Sequence, residues 1–391
     1  MSTPTRQDVV PPDHRMVRSL APLLGAAALG LVPFTVFSTF LVRIADDSGS
    51  GVDLIGSLRG LGGLAALAVG ALAAPLVDRL SRPRVAAGAL VVLAAGCALA
   101  VTGSTATWVL FCLLIGAGTA LLNPALTALA ADPYDGEAAA GRAATLVSST
   151  TTLTAVLAAP VLAAPALWWG WQGDLVAAAV ACTVVAAVIA RRPGDAAGAS
   201  ESPSYGRAFR TVAAVPGAVP LIAISTIRTT CFMGQLAYAA AYFDERHRLT
   251  ASTFTLVWTL SGVSFFVAGW WAGRRLSRSG NARPLLVAGA AIGGAGALVL
   301  FTAGGLILAL AGVVAVAAGH AAVAASVVTL LVRRSGTVRG TALSLNASGQ
   351  SLGVFAGAAL VGGALHVGGW TTVGFALAGL MAVAVGLGVA R

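Results

Sequence analysis

The residues with the most chemical potential sit where charge is least expected. Residues 221–243, LIAISTIRTTCFMGQLAYAAAYF, are apolar enough to cross a bilayer, yet Arg228 lies near their middle. Ser225, Arg228, Cys231, Gln235, Tyr238 and Tyr242 recur at steps of three and four, which stacks them on one face of a helix. An arginine at the centre of a membrane helix costs ~2.5 kcal/mol or more, and about eleven residues separate it from the nearer interface, too far to snorkel easily. The polar stripe is therefore expected to face protein or water. Arg228 could neutralise an anionic group on a substrate, bond backbone carbonyls and polar side chains, or gate a conformational change. His320, in AVAAGHAAVAA, is the other mid-span ionisable group. Its ordinary pKa near 6.5 suits a coupling proton, but it could equally hydrogen-bond a substrate or pack as a satisfied histidine.

Further polar residues are spaced along other apolar runs. Thr35, Ser38 and Thr39 follow Pro33, and Thr119, Asn123 and Thr127 stand at i, i+4 and i+8. The candidate cavity set is Arg228, Gln235, Tyr238, His320, Asn123, Thr35 and Ser38. No carboxylate is expected at mid-span, since Asp46, Asp47, Asp53, Asp174, Asp244 and Glu245 fall at outer ends or loops. Arg59 lies about two turns inside the outer interface, where Asp53, Asp46 or Asp47 could pair with it.

The elements that must position these groups follow from composition. The chain has 391 residues, 58% hydrophobic and only 10% charged, with a mean hydropathy of +0.89. A soluble chain would carry roughly 25% charged residues. A helix needs ~20 apolar residues to cross the hydrocarbon core. Such runs occur near 19–43, 53–76, 85–104, 107–130, 143–167, 173–190, 215–243, 251–273, 284–303, 305–332, 341–366 and 370–390. The expected fold class is an all-α polytopic membrane protein with twelve transmembrane helices in two pseudo-symmetric six-helix bundles. Residues 1–18 form an N-terminal tail, 19–190 the first bundle, 191–214 a polar and basic linker, and 215–391 the second bundle.

The net charge of +10 comes from 24 arginines in short clusters between apolar runs, without interleaved aromatics. That pattern excludes nucleic acid and sets topology. Nineteen arginines fall on one side and three (Arg43, Arg246, Arg248) on the other, so the positive-inside rule puts both termini in the cytoplasm, in the inner or plasma membrane. No removable signal peptide is read. The four cysteines lie inside apolar runs without metal or redox spacing, and no metal or other cofactor is expected. The two halves also match at an offset of 199 residues: Arg79 with Arg278, Arg84 with Arg283, Gly170 with Gly369 and Trp171 with Trp370. Duplicated halves place a binding site between them near the midplane.

The loop after the second run reads Ala74-Pro-Leu-Val-Asp78-Arg79-Leu-Ser81-Arg82-Pro-Arg84. It resembles the G-x-x-x-D-R-x-G-R-R signature of the major facilitator superfamily. The second copy is Gly273-Arg-Arg-Leu-Ser277-Arg278-Ser-Gly280, with Ser277 in the aspartate's place. Asp78 can pair with nearby arginines or face a helix N-terminus. Arg79 and Arg82 can pair with Asp132, Asp135 or Glu137. Asp78, Arg79, Arg82, Asp132 and Arg278 then form a latch that holds one conformation shut. Ala155-x3-Ala159-Pro160-x2-Ala163-Ala164 resembles the G-x3-G-P-x2-G-G element of drug:proton antiporters with every glycine changed to alanine. Ala159 and Pro160 are the expected packing and bend positions. CLLIGAGTA resembles R-x-x-Q-G-x-G-x-A, with Cys112 where the family's coupling arginine would stand.

The resemblance covers essentially the whole chain and is most similar to bacterial sugar-efflux and drug-efflux members. It implies that helices 1, 4, 7 and 10 line a central cavity, and that the chain acts as a monomer on a small-molecule substrate in the lipid bilayer, with protons as the coupling ion. Proton-coupled efflux by alternating access is the function it implies. An importer or uniporter of an organic anion using Arg228 is the alternative, and a non-transporting sensor or assembly partner is a third reading. No Ser-His-Asp set, H-E-x-x-H or acidic metal cluster points to an enzyme.

Overall fold

A chain that buries no backbone polar group in lipid without an internal partner has few options, and helices are the one used here. The computed structural model describes residues 11–72, 81–134, 137–192, 205–279 and 281–390. The first half holds α1 (Asp13–Leu29), α2 (Val32–Thr39), α3 (Leu41–Asp47), α4 (Val52–Leu72), α5 (Arg82–Ala100), α6 (Thr105–Ala131) and α7 (Glu137–Ala190). A short α8 (Tyr205–Ala213) precedes α9 (Ala218–His247), α10 (Ala251–Ser279), α11 (Arg283–Thr302), α12 (Leu306–Ser335) and α13 (Arg339–Val389). Among the described residues nine helices are long and apolar enough to cross a membrane. The twelve-helix architecture in two halves accommodates all of them.

Local sequence explains the starts and breaks. Ser104 caps α6 by accepting from the Thr107 N–H at 3.3 Å, and a proline stands in the first turn of α5 and of α11, where its missing N–H costs nothing. The first expected span is not one straight helix: it breaks after α1 at Gly30, ahead of Pro33, and again at Phe40.

Two expected pairs of spans are continuous except for a glycine corner. α7 breaks at Gly170 (φ 62, ψ −155) and α13 at Gly369 (φ 67, ψ −163). These are the positions paired by the 199-residue offset, and they share a backbone conformation that only glycine adopts readily. The tryptophan that follows each corner anchors an aromatic cluster. Trp171 packs 5.2 Å from Trp108, which packs 5.1 Å from Phe111. Trp370 lies 5.2 Å from Tyr242 and stacks on Phe301 at 5.7 Å, and its indole N–H donates to Glu245 at 2.9 Å.

Contacts divide the chain into two units, one of residues 1–36 with 68–202 and the other of 37–67 with 203–391. Within the second unit α9 packs most extensively against α13. A Cβ at Gly353 would stand 2.7 Å from the Thr226 carbonyl, and one at Gly234 would stand 2.7 Å from the Gly357 carbonyl. Glycine is what allows the two backbones to approach so closely. Segment 37–67 joins this unit by the same means: a Cβ at Gly63 would meet the Phe355 amide at 2.7 Å.

Candidate functional site

α9 carries the polar stripe inward. Ser225, Arg228, Cys231, Gln235, Tyr238 and Tyr242 are all buried, as one face of a helix packed against α12 and α13 requires. Arg228 is 5% exposed and His320, on α12, 7%. The Arg228 Nη1 lies 2.7 Å from His320 Nε2 and 3.2 Å from Nδ1. An arginine can only donate, so the imidazole meets it with a lone pair. Nη2 donates to Ser225 Oγ at 3.4 Å, and Nε is buried without a hydrogen-bond partner among the described residues. None of the ion pairs among those residues brings a carboxylate to Arg228. Gln235, two turns along the same face, is 1% exposed with its Oε1 likewise unpartnered.

Two aromatic rings complete this site. Phe232, one turn beyond Arg228, stacks on His320 with centroids 4.1 Å apart and planes at 18°, and Phe265 on α10 lies 5.7 Å from the same imidazole. The histidine is thus held between an apolar wall and a guanidinium, which fixes its ring plane. A phenylalanine inside an apolar run carries no signal of its own, so neither ring is legible in the sequence. Only the i+4 spacing of Phe232 from Arg228 hints at it.

Tyr238 sits elsewhere on the stripe. Its hydroxyl donates to the Asp53 carbonyl at 2.8 Å, and the ring is wedged where a Cβ on Gly56 would stand 2.6 Å from Cζ and one on Gly362 2.6 Å from the hydroxyl. Arg59 is buried and donates to Ser38 Oγ, which ties α4 to α2. His366 approaches Asp53 at 3.8 Å.

The other sequence-marked residues, Arg278 apart, lie in the first unit or outside the described residues. Thr35 is buried and donates back to the Leu31 carbonyl at 3.0 Å. Asn123 is exposed, and its carbonyl accepts from Thr127. Arg82 forms an ion pair with Asp132, each side chain a little over two-fifths exposed. Arg278 is exposed on the last turn of α10. Asp78 and Arg79 lie outside the described residues, as do the side chains of Ala159 and Pro160. The four cysteines are buried, and the described residues contain no His/Cys/Asp/Glu cluster able to hold a metal.

Sequence reading also placed Asp174 at a span end without depth. Asp174 follows the Gly170 corner, is fully buried, and neither carboxylate oxygen has a hydrogen-bond partner among the described residues.

Solved structures similar to this chain include several transporters. The nucleoside transporter NupG superposes with a TM-score of 0.79 at 15% identity, covering 95% of this chain and 99% of that one. A bacterial homologue of the human lysosomal transporter Spinster, in an inward-facing and unoccupied conformation, gives 0.71 at 17% identity over 97% and 96%. The human organic anion transporter MFSD10 gives 0.66 at 17% over 97% and 100%. No curated protein sequence matches. At these identities the structures attest the fold, whereas the sequence model of the Major Facilitator Superfamily matches residues 23–337 directly. A match across most of both halves, on a duplicated all-helical architecture, is decisive: this chain belongs to the Major Facilitator Superfamily.

Proposed function

We propose that this superfamily transporter carries a small organic anion by alternating access, with Arg228 as the counter-ion and His320, set by Phe232 and Phe265, as the hydrogen-bonding partner beside it. The observation that carries the reading is a buried guanidinium whose Nη contacts are an imidazole nitrogen and a serine hydroxyl, and whose Nε has no hydrogen-bond partner among the described residues. A charge taken out of water without an opposite charge loses several kcal/mol of solvation. An incoming carboxylate or phosphate restores that loss through charge-assisted, bidentate hydrogen bonds. Binding energy is thereby reserved for the loaded carrier.

A second reading, in which the solute is neutral and His320 carries the coupling proton of an exporter, rests on the antiporter-like elements; that proton would take the lone pair that meets Arg228 and break the contact between them. Cys112, where an antiporter arginine would stand, is buried. The arginine bias supports cytoplasmic termini in the cell membrane for either reading.

The test is a thermal-shift screen of purified protein against matched anionic, neutral and cationic small molecules. Stabilisation by anions alone, lost in Arg228→Ala, supports the counter-ion. Equal stabilisation of both proteins by neutral or cationic ligands refutes it. In liposomes, pH-gradient-driven transport that survives His320→Ala removes the proton-carrier reading.

A further inference from the structure

The cytoplasm-directed end of α10, as the arginine bias orients it, carries a construction the transport cycle leaves unused. One exposed face of this helix runs Val263, Phe266, Val267, Trp270 and Trp271, each 44% to 53% exposed. Immediately beyond stand Arg274, Arg275 and Arg278, all exposed. On a membrane helix such a face meets acyl chains, and its tryptophans mark the depth at which hydrocarbon gives way to headgroups.

The arginines do not simply follow the tryptophans in sequence; they lie back on them. The guanidinium carbon of Arg274 stands 4.0 Å from the Trp270 ring centroid, and that of Arg275 5.9 Å from Trp271. These are two parallel i, i+4 pairs on neighbouring positions of one turn. Stacking engages the flat face of a guanidinium, while its N–H donors radiate along the edge in a fork that matches phosphate oxygens. The pairs thus hold two positive forks at one depth, side by side, above an apolar face.

Duplication of the halves shows that the scaffold does not demand this arrangement. At the 199-residue offset Trp270, Trp271, Arg274 and Arg275 correspond to Ala71, Leu72, Pro75 and Leu76, whereas Arg278 keeps its counterpart Arg79. The Trp–Arg pairs belong to the second half alone. An arginine that served only to orient the chain would need no aromatic platform.

We infer that Trp270–Arg274 and Trp271–Arg275 form a binding site for the headgroup of an anionic phospholipid, whose phosphate lies between the two guanidinium edges and whose acyl chains run along Val263, Phe266 and Val267. A bilayer lipid is the occupant because the forks stand at the end of an exposed apolar face. A soluble phosphate would gain nothing from that face.

The experiment titrates purified full-length protein in neutral detergent with phosphatidylglycerol, phosphatidylcholine or inorganic phosphate, and follows the melting temperature. Quenching of tryptophan fluorescence by brominated forms of the two lipids gives the apparent affinities. Each arginine near an anionic surface adds roughly fivefold to binding, so wild type is expected to prefer phosphatidylglycerol by about tenfold or more. Arg274→Gln/Arg275→Gln should lose most of that preference, and Trp270→Leu/Trp271→Leu should lose part of it, with lipid-free melting unchanged because all four side chains are exposed. Arg15→Gln/Arg18→Gln, at another exposed basic cluster, should keep it. The proposal is overturned if the double arginine variant keeps the full preference, if phosphatidylcholine binds as well, if inorganic phosphate reproduces the shift, or if the control variant loses as much. If the glutamine variant fails to fold, quenching in wild type by brominated phosphatidylcholine equal to that by brominated phosphatidylglycerol still refutes it.

Discussion

Arg228 has its buried surroundings fixed by neutral groups, and that makes its removal informative. Truncating a buried charge that lacks a counter-charge relieves a desolvation cost, so Arg228→Ala is expected to leave ligand-free melting unchanged or slightly raised while abolishing anion-dependent stabilisation. Arg228→Lys keeps the charge but not the planar fork; it should weaken anion affinity by tenfold or so, the worth of one charge-assisted hydrogen bond. A lowered ligand-free melting temperature in Arg228→Ala would mark the arginine as a structural tie.

His247, at the C-terminal end of α9, offers a separate pH signature. Its imidazole lies against Tyr242 and Phe243, and burial, then the neighbouring Arg246, hold it below its ordinary value of 6.5. The folded form binds this proton more weakly than the unfolded chain, so its stabilising contribution is full above about pH 6.5 and is lost as pH falls through the lowered folded value. Melting followed from pH 8 to pH 5 should show a decline that is shallower in His247→Gln. At this scale the sequence reveals what contrasts with its background. Arg228 and His320 are conspicuous in an apolar run, while Phe232 and Phe265 are not, and the depth of Asp174 cannot be read so near a span end.

Helices in this chain are held together by what their contact faces lack. Hydrophobic burial gives little drive between helices already in lipid, so association rests on close van der Waals packing. The α9–α13 contact is the clearest case, with Gly353 and Gly357 of α13 set against Thr226, Thr230 and Gly234 of α9. Gly353→Val would force a Cβ to within 2.7 Å of the Thr226 carbonyl. Overpacking of this kind costs typically 1–3 kcal/mol, and the expected outcome is a clearly lowered melting temperature in detergent. Gly273→Ala, on an open position of α10, is the control and should change nothing measurable. Span positions were legible because twenty-residue apolar runs have one economical interpretation. The breaks inside the first span were not, since Pro33 marks only one of them and Phe40 carries no turn chemistry.

For the whole molecule, family membership makes alternating access the frame, and Arg82 with Asp132 is the ion pair that the described part of the expected latch forms. Both side chains are about two-fifths exposed, so the pair contributes at most ~1 kcal/mol to stability. Its influence on transport is expected to be larger than its influence on melting. Arg82→Asp should reduce counterflow into liposomes several-fold, and adding Asp132→Arg should restore a good part of it. Equal loss in the single and double variants would show that only topology is at stake. The duplicated plan was visible as four matched positions 199 apart, and two of these, Gly170 and Gly369, prove to share a backbone conformation. The partition of 37–67 with the second unit was not visible, because it depends on which glycine faces meet rather than on chain order.

Those matched corners bear on how the protein can be handled. Each turn from one pass to the next is made by a glycine or two, with no loop to lengthen and no flexible tip to cut. Proteases, antibodies and inserted epitopes need several residues of loose chain. At these two corners they will find none, so tags, cleavage sites and fiducial domains for imaging belong elsewhere in the chain.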